Sequence, residues 1–362
     1  MKIYEKIEIK NFRCFKDTKI DRLSDFNIFV GKNASGKTSM LEAIFVHSGM
    51  YNPDLTLRVN SFRGIDFFRL DVFKSDEIPW KFIFSNLELE NKIEIKTKGL
   101  NGECKTEFST LNLAEKIDLI NKNRAYFQNF QIYSPEKTHI LKMISVINKE
   151  KKENYLILTP NGLNTYQIPY PPSFKTTIIT SRLVLNYQQI ADNFSQVQTN
   201  RKLLDLLIDV LRIFEPNLQD LRISMYGGTV PLIYAYLTTI KEPIPINYVS
   251  EGLSRALELF LTIMNTNEGV VLIDEIENGI HHSLLQKYMI FILNLIEKFN
   301  IQIFATTHSY EAIQAAYLAA TNENKKENVK IYRFEKEESN ISIIEYTSDE
   351  ISTALDMELE IR

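Results

Sequence analysis

One eight-residue segment constrains this chain more than any other: Gly31–Thr38, which reads G-K-N-A-S-G-K-T. It matches the pattern G-x-x-x-x-G-K-[ST] at every fixed position. A short apolar run, Phe26 to Val30, precedes it and reads as a strand. Apolar residues at helical spacing follow it, namely Met40, Leu41, Ile44 and Phe45. The order of strand, loop and helix therefore predicts a phosphate-binding loop and argues against a chance glycine-rich turn.

The loop residues have distinct expected roles. Backbone N–H groups in such a loop form an anion-binding nest at a helix N-terminus, and the two glycines let the backbone approach phosphates closely. Lys37 is expected to reach the β- and γ-phosphates, and the Thr38 hydroxyl to ligate Mg²⁺. The sequence thus predicts ATP and Mg²⁺ as cofactors. The expected nucleotide contacts here are Gly31, Lys32, Asn33, Ala34, Ser35, Gly36, Lys37, Thr38 and Ser39.

Composition narrows the class of protein. A chain of 362 residues with 44% hydrophobic content can bury a large core and suggests two lobes. The net charge of −4 provides no overall positive field that would attract nucleic acid, but it does not exclude a local basic groove. Cys14 and Cys104 are the only cysteines, and no signal peptide is evident, so we expect a cytoplasmic protein. No apolar run reaches the roughly 18 residues that span a bilayer, so we expect no membrane segment.

A second motif lies far downstream, where Gly269–Glu275 reads G-V-V-L-I-D-E. Val270–Ile273 is typical of a strand buried in a parallel sheet. Asp274 then falls at the carboxyl end of that strand, where open α/β sheets bind ligands, and is expected to hold Mg²⁺. Glu275 is expected to act as the general base that polarises an attacking water.

A third motif follows the apolar run Ile301–Phe304, which also reads as a strand. The sequence continues A-T-T-H-S, and His308 lies 34 positions after Asp274. One predicted helix, Ser283–Lys298, separates the two strands, as a parallel strand-helix-strand unit requires. His308 is therefore expected to contact the γ-phosphate, although a histidine in such a loop is often unremarkable.

The segment Tyr248–Arg255 reads Y-V-S-E-G-L-S-R and precedes a helical pattern. Ser250 and Gly252 fall at the start of that helix, so Ser250 is expected to cap it. A second interpretation is that the Ser250 hydroxyl, the Gly252 N–H and the helix dipole form an anion site. Such a site would serve the nucleotide of a second copy, because the chain's own nucleotide is already held by Lys37.

The order of these motifs resembles that of ABC-type ATPases. The opening Ile7–Phe15, I-E-I-K-N-F-R-C-F, is similar to the start of the SMC and RecF group. The segments Asp274–His281 and Thr307–Ser309 are similar to the OLD family, to which the ATPase subunits of anti-phage systems such as Septu and PARIS are related. The resemblance covers roughly residues 1–50 and 170–362.

The resemblance implies further roles for individual residues. It identifies Gly31–Thr38 as Walker A, Asp274 with Glu275 as Walker B and catalytic base, and His308 as the switch histidine. Arg13 is implied as a nucleotide contact from the first lobe. Gln189, or its neighbour Gln188, is implied as the Q-loop glutamine that senses Mg²⁺.

The resemblance also implies a dimer. Ser250, Glu251 and Gly252 stand for the signature motif, which one copy donates to the nucleotide of the other, and Glu277–His281 stand for the D-loop at the dimer seam. The signature departs from the family pattern, reading V-S-E-G-L in place of L-S-G-G-Q. About 54 residues follow His308, enough for two strands and a short helix but not for the Toprim nuclease domain of OLD nucleases. Any nuclease would then be a separate polypeptide.

Some 210 residues separate the loop from the signature and show no sustained heptads. Short alternating segments predict a mainly antiparallel lobe; they are Lys81–Phe84, Lys92–Lys96, Lys105–Phe108, Phe127–Tyr133, Tyr155–Leu158 and Thr176–Ile179. A helical stretch is predicted over about Asn186–Phe214, and the mixed-charge run around Lys149, Lys151 and Lys152 is predicted to be a surface loop.

We therefore expect an α/β protein: an ABC-type P-loop ATPase head with a mixed or antiparallel β lobe, a parallel-sheet lobe and a helical insertion. The expected segments are a first lobe at 1–185, a helical insertion with connecting strands at 186–245, and a second lobe at 246–362.

The expected function is an ATPase that forms a homodimer or higher homo-oligomer around ATP and acts as a switch or scaffold for a separate effector in anti-phage defence. Two alternatives stay open: a RecF-like repair ATPase that clamps on DNA, and the nucleotide-binding subunit of a transporter.

Overall fold

The computed structural model describes residues 2–65, 78–129, 135–159, 162–181, 187–337 and 340–356. Two compact units are interleaved along the chain. The first comprises Met1–Leu23, Ala34–Ser173 and Phe334–Ile343, and the second comprises Ser24–Asn33, Phe174–Arg333 and Ile344–Arg362. The division into segments 1–185, 186–245 and 246–362 stays a prediction.

The first unit is built on a seven-stranded sheet with the order β2-β1-β4-β5-β6-β7-β8. All neighbouring strands in it are antiparallel. Its strands are Lys6–Phe12 (β1), Phe15–Ile20 (β2), Ile93–Gly99 (β4), Gly102–Thr110 (β5), His139–Ile147 (β6), Glu150–Thr159 (β7) and Gly162–Thr165 (β8). The central strands alternate buried and more exposed residues, which is the pattern of a sheet with one face in the core.

Four helices of the first unit are Lys37–Ser48 (α1), Leu55–Ser61 (α2), Leu113–Lys122 (α3) and Arg124–Asn129 (α4). Helix α1 is anchored to the inner face of the sheet by a fully buried histidine, His47. Its Nδ1 lies 2.9 Å from the Thr106 hydroxyl and its Nε2 lies 2.8 Å from the Thr97 hydroxyl. Both ring nitrogens are therefore satisfied by β4 and β5, which fixes the helix against the sheet.

The parallel sheet, with the order β16-β15-β3-β14-β13-β9, lies mostly in the second unit, apart from residues 334–336 and 341–343 of β15 and β16. Its strands are Phe26–Val30 (β3), Thr176–Ile179 (β9), Val270–Ile273 (β13), Gln302–Thr306 (β14), Val329–Lys336 (β15) and Ile341–Tyr346 (β16). Strands β15, β3, β14, β13 and β9 run parallel to one another. Every residue of β3, β13 and β14 is buried, as expected for strands covered on both faces. The carboxyl ends of these strands share one edge.

The helices of the second unit pack with this sheet into one continuous core. They are Tyr187–Gln198 (α5), Arg201–Leu211 (α6), Glu251–Met264 (α7), Leu285–Phe299 (α8), Tyr310–Asn322 (α9) and Ser348–Asp356 (α10). A small antiparallel sheet of Leu218–Tyr226 (β10), Val230–Leu237 (β11) and Ile244–Pro245 (β12) contributes to the same core. None of the helices in the described ranges is both long and apolar enough to span a bilayer.

The sequence-based fold class is confirmed, whereas several local predictions are wrong. Lys81–Ile83 forms a 3₁₀ turn and not a strand. The predicted strand Phe127–Tyr133 begins within helix α4, and its residues from 130 onward lie outside the described residues. Thr176–Ile179 is a strand, but it belongs to the parallel sheet and not to the antiparallel lobe.

Two further predictions in the middle of the chain are also corrected. The stretch predicted to be helical, about Asn186–Phe214, contains two helices, α5 and α6. Residue 186, where the predicted stretch begins, lies outside the described residues. Lys151 and Lys152 belong to β7 and not to a loop. The chain turns at Asn148 and Lys149, which both have positive φ, as a tight hairpin turn requires.

Candidate nucleotide-hydrolysis site

The phosphate loop begins where β3 ends and leads into α1, as predicted. Gly31, Ala34 and Gly36 all have positive φ, at 138°, 61° and 100°. The loop passes from the second unit to the first between Asn33 and Ala34. Within it, the Ser35 hydroxyl is buried and has no hydrogen-bond partner among the described residues. A buried donor of this kind fits a bound phosphate oxygen.

Gly36 cannot take a side chain without strain. Its φ lies in the left-handed region, and a Cβ there would lie 2.9 Å from Cys14 Sγ and 3.2 Å from the Phe15 ring. Lys37, the first residue of α1, is only 5% exposed. The turn between β1 and β2 therefore holds the loop at the point where α1 begins.

Arg13 takes part in an ion-pair cluster beside this loop, in which Arg13 and Glu42 are largely buried and Arg63 is exposed. Its Nε lies 2.7 Å from Glu42 Oε2, and Arg63 Nε lies 2.8 Å from Glu42 Oε1. The Glu42 carboxylate on α1 is fully buried, and the Arg63 guanidinium also reaches the Ser39 hydroxyl at 3.5 Å. Burial lowers the pKa of Arg13, and Glu42 opposes that effect. Arg13 Nη2 is buried and has no hydrogen-bond partner in the described part of the chain.

Three neighbouring strand ends meet at Asp274, directly after β13. The Thr306 hydroxyl at the end of β14 donates to Asp274 Oδ1 at 2.8 Å. The Ser181 hydroxyl, two residues beyond β9, donates to Asp274 Oδ2 at 3.2 Å. The Asp274 N–H donates to the Ile179 carbonyl at 2.8 Å. Both oxygens of this carboxylate are therefore oriented by hydroxyl groups from the two adjacent strands.

Glu275 is held by the same threonine. Its N–H donates to the Thr306 hydroxyl at 2.8 Å, and its φ of 54° is in the left-handed region, which is uncommon for glutamate. The Glu277 Oε1 atom accepts a hydrogen bond from the His308 N–H at 2.9 Å. Glu277 Oε2 is buried without a hydrogen-bond partner among the described residues. The structure thus links the loop after β13 to the loop after β14, and it brings Asp274, Glu275 and His308 onto adjacent strand ends.

Helix α7 begins with the predicted cap. The Ser250 side chain is the N-cap and accepts from the Leu253 N–H at 3.1 Å, and Ser250 is exposed. Gly252 lies in the first turn, where a Cβ would lie 2.6 Å from the Gly279 carbonyl oxygen. Gly279 has a φ of 75°. The start of α7 therefore packs directly on the loop 274–280, so that both segments lie together in the second unit.

The predicted Q-loop glutamine lies on the protein surface. Gln189 lies in the first turn of α5 and is exposed, and the neighbouring Gln188 amide donates to Asp192 Oδ1 at 2.9 Å; the Q-loop role stays a prediction. Sequence reasoning missed Ser181, Thr306 and Glu42. A signal was available for Ser181, since two hydroxyl residues, Thr180 and Ser181, follow the predicted strand Thr176–Ile179.

The donor set at Asp274 consists of oxygen atoms. No group of three or more histidine, cysteine, aspartate or glutamate side chains suited to a metal occurs in the described ranges. Mg²⁺ is usually held by one or two carboxylates together with the phosphates of a nucleotide, and seldom by a cage made of protein alone. The residues present therefore fit Mg²⁺ that arrives with a nucleotide.

The chain has a mixed α/β fold, similar to that of the P-loop ATPase head domains of SMC proteins. The chain is similar in fold to the structure described as "Crystal structure of the SmcHead bound to the C-winged helix domain of ScpA", with a TM-score of 0.50 and 13% identity, over 97% of this chain and 99% of that one.

The chain belongs to the family described as "AAA domain, putative AbiEii toxin, Type IV TA system", whose model matches residues 26–314. An "ATP/GTP phosphatase" of Helicobacter pylori is 28% identical over 338 residues, which are 86% of each chain. A "DNA replication and repair protein RecF" of Lactococcus lactis is 55% identical over only 40 residues, or 11% of each chain. The protein is thus an ATP hydrolase.

Proposed function

We propose that this ATPase is a dimeric switch in which each copy completes the nucleotide site of the other. The observation that carries the proposal is the packing of the exposed Ser250 end of α7 on the loop that follows Asp274 and Glu275. An exposed capped helix start attracts anions. Its contact with the loop 274–280 gives a docked second copy a direct route to the residues of hydrolysis.

We assign the binding roles as follows. The backbone N–H groups of Gly31–Thr38 and the Lys37 ammonium bind the β- and γ-phosphates, and Ser39 lies at the end of the loop. Arg13 provides donors to the nucleotide from the β1–β2 turn. Thr38 and Asp274 hold Mg²⁺, with Gln189 as a further candidate ligand. When bound, Mg²⁺ neutralises charge on the phosphate oxygens.

We assign the hydrolytic roles to the strand ends. Glu275 takes a proton from the attacking water, whose oxygen bonds to the γ-phosphorus. The bond between the γ-phosphorus and the bridging oxygen breaks, so inorganic phosphate forms and ADP leaves with the negative charge. His308 donates to the γ-phosphate, and Lys37 compensates its charge. Ser250 and Gly252 of the second copy contact the same γ-phosphate. Loss of that phosphate removes the bridge between copies, and the dimer opens because ATP alone supplied the difference in affinity.

The variant Glu275→Gln tests the base assignment. We expect turnover to fall at least a hundredfold, while ATP binding persists, because the amide cannot accept the proton of water. Glu268→Gln is the matched control, since Glu268 is an exposed acid at the opposite end of the same strand, and its turnover should equal that of wild type. Steady-state phosphate release and fluorescent-nucleotide binding are the measurements. Unchanged turnover in Glu275→Gln would refute the assignment.

We propose that the switch acts in the cytoplasm as a scaffold for a separately encoded effector, such as a nuclease, in anti-phage defence. The support is the family description, which names a toxin of a toxin–antitoxin system. Co-purification with the products of neighbouring genes, with and without ATP, tests this role. An effector retained only with ATP supports it, and ATP-independent or absent retention of every neighbour contradicts it.

A DNA clamp is the alternative, and the short match to RecF favours it. A clamp on DNA should show ATPase activity stimulated by duplex DNA, with an affinity that falls steeply with salt. Equal activity with and without DNA between 50 and 200 mM salt argues against this alternative.

A further inference from the structure

The segment Thr180–Ser181, which directly follows β9, connects three parts of the second unit. Its hydroxyl contact is to Asp274: the Ser181 Oγ atom donates to Oδ2 at 3.2 Å. Each of its two backbone carbonyls accepts a hydrogen bond from a buried or half-buried side chain. Arg255 Nη2 donates to the Thr180 carbonyl at 2.8 Å, and Asn278 Nδ2 donates to the Ser181 carbonyl at 3.0 Å.

The two donors come from helix α7 and from the loop 274–280, which pack on each other. Arg255 lies on α7, five residues after Ser250, and is only 5% exposed. Its second contact, to Glu258 Oε2 at 3.3 Å, is on the same helix, so the guanidinium is fixed to α7. Asn278 lies in the loop 274–280, next to Gly279, which the start of α7 touches. A shift of α7 is therefore transmitted to Thr180 and Ser181 by direct hydrogen bonds.

The two hydroxyl groups on Asp274 are not equivalent. Thr306 is on a buried strand, makes the shorter contact of 2.8 Å, and also accepts from the Glu275 N–H. Ser181 lies beyond the end of its strand and makes the longer contact of 3.2 Å. A longer hydrogen bond is the weaker of the two, so it is the one that a small movement makes or breaks. Each carboxylate oxygen accepts more than one bond, so a Ser181 contact leaves Oδ2 able to hold a cation.

We propose that Ser181 is a positioning residue for Asp274, and that Arg255 and Asn278 make the cation affinity of Asp274 depend on the position of α7. The proposal rests on the assignment of Asp274 as a Mg²⁺ ligand. Partners that orient a metal-binding side chain usually contribute ten- to a hundredfold to metal affinity. In this chain a serine from the adjacent strand end has that role, independently of any glutamine on α5.

The test is a titration of the ADP-loaded chain with Mn²⁺, followed by electron paramagnetic resonance, so that binding is read without turnover. Ser181→Ala should weaken Mn²⁺ binding roughly tenfold, and Ser181→Thr, which keeps the hydroxyl, should restore it to within about threefold. Asn278→Ala leaves the hydroxyl but releases the Ser181 carbonyl, and it should weaken binding in the same direction by a smaller factor. Thr177→Ala is the matched control: Thr177 lies on β9, and its removal deletes a hydroxyl contact to Thr266 that does not involve Asp274, so binding should not change.

The outcomes separate this inference from the proposed function. If Asp274→Asn abolishes Mn²⁺ binding but Ser181→Ala binds like wild type, the role of Ser181 is overturned and the assignment of Asp274 stands. If Asp274→Asn still binds Mn²⁺ like wild type, the assignment of Asp274 itself fails. Equal weakening in Ser181→Ala and Ser181→Thr would also contradict the proposal, because a structural effect of substitution would not depend on the hydroxyl.

Discussion

At the scale of single residues, one hydroxyl group organises the hydrolytic side of the site. The Thr306 hydroxyl donates to the Asp274 carboxylate and accepts from the Glu275 N–H, so one oxygen atom contacts both acidic residues. The Asp274 side chain and the Glu275 main chain are therefore fixed relative to each other. The strained φ of Glu275 is consistent with a backbone held by its surroundings, as often occurs at functional sites.

His47 shows that the helix behind the phosphate loop depends on a neutral imidazole. Burial lowers its pKa to about 3, from an ordinary value of 6.5. The folded protein therefore holds His47 neutral, whereas the unfolded chain binds a proton below pH 6.5. This contribution to stability is complete above pH 6.5 and is lost as the pH falls toward 3. Because of His47, we expect the free energy of unfolding to fall by about 2 kcal/mol when the pH is lowered from 7 to 5.

Urea unfolding of wild type and His47→Gln at pH 7 and pH 5 measures this effect. Glutamine can donate to one threonine and accept from the other, but it does not titrate. The stability of His47→Gln should depend less on pH than that of wild type, by about 2 kcal/mol over this interval. Identical pH dependence in the two proteins would contradict a neutral buried His47.

The places of the motif residues in the fold were predictable and their partners were not, while the chemical roles of both stay predictions. Gly36, Asp274 and Glu275 follow patterns of spacing that the chemistry of phosphate binding requires. Ser181 and Thr306 have no such pattern, because their importance comes from which strands become neighbours. That order depends on long-range packing and not on local sequence.

At the scale of elements, α7 and the loop 274–280 behave as one piece because Gly252 has no side chain. A Cβ at this position would lie 2.6 Å from the Gly279 carbonyl oxygen, so the backbone must shift to accept alanine. Gly252→Ala should lower stability by about 1–3 kcal/mol, which is typical of overpacking, and reduce ATP turnover. Thermal unfolding and phosphate release are the measurements.

Lys202→Ala is the control for that variant. Lys202 is exposed and occupies the same position after its N-cap, Asn200, on α6, where only its backbone N–H takes part in the cap. A substitution there introduces no clash, and we expect stability to change by less than about 0.5 kcal/mol. If Gly252→Ala proved as stable as this control, the close packing of α7 on the loop would be refuted.

Elements with strong periodicity were predicted well, and short ambiguous ones were not. Val270–Ile273 is a continuous apolar run and Phe26–Val30 is apolar apart from Asn27, and both are buried parallel strands. Lys81–Phe84 is only four residues long, too short to distinguish a strand from a 3₁₀ turn. The hairpin at Asn148–Lys149 was missed because charged side chains dominate its strand, although they lie on a partly exposed face.

At the scale of the whole molecule, the order of segments along the chain did not predict which segments belong to which of the two units. The first unit takes in Phe334–Ile343, near the end of the described chain, because Asn340 Oδ1 accepts from the Lys16 N–H and the Thr18 hydroxyl. The second takes in Ser24–Asn33, since β3 pairs with β14 and β15. Such exchanges are decided by strand pairing between distant segments, which composition and periodicity do not specify.

The most direct test of the dimeric switch is the mass of Glu275→Gln in solution, by analytical ultracentrifugation with and without ATP. We expect twice the 42.1 kDa of one chain with ATP, and one chain without it. The added change Ser250→Asp keeps a good N-cap but places a negative charge against the γ-phosphate, and it should prevent the dimer. Asn112→Asp, at the N-cap of α3, is the control and should leave the dimer intact. A single-chain mass with ATP bound, or a dimer that persists in Ser250→Asp, would contradict the account.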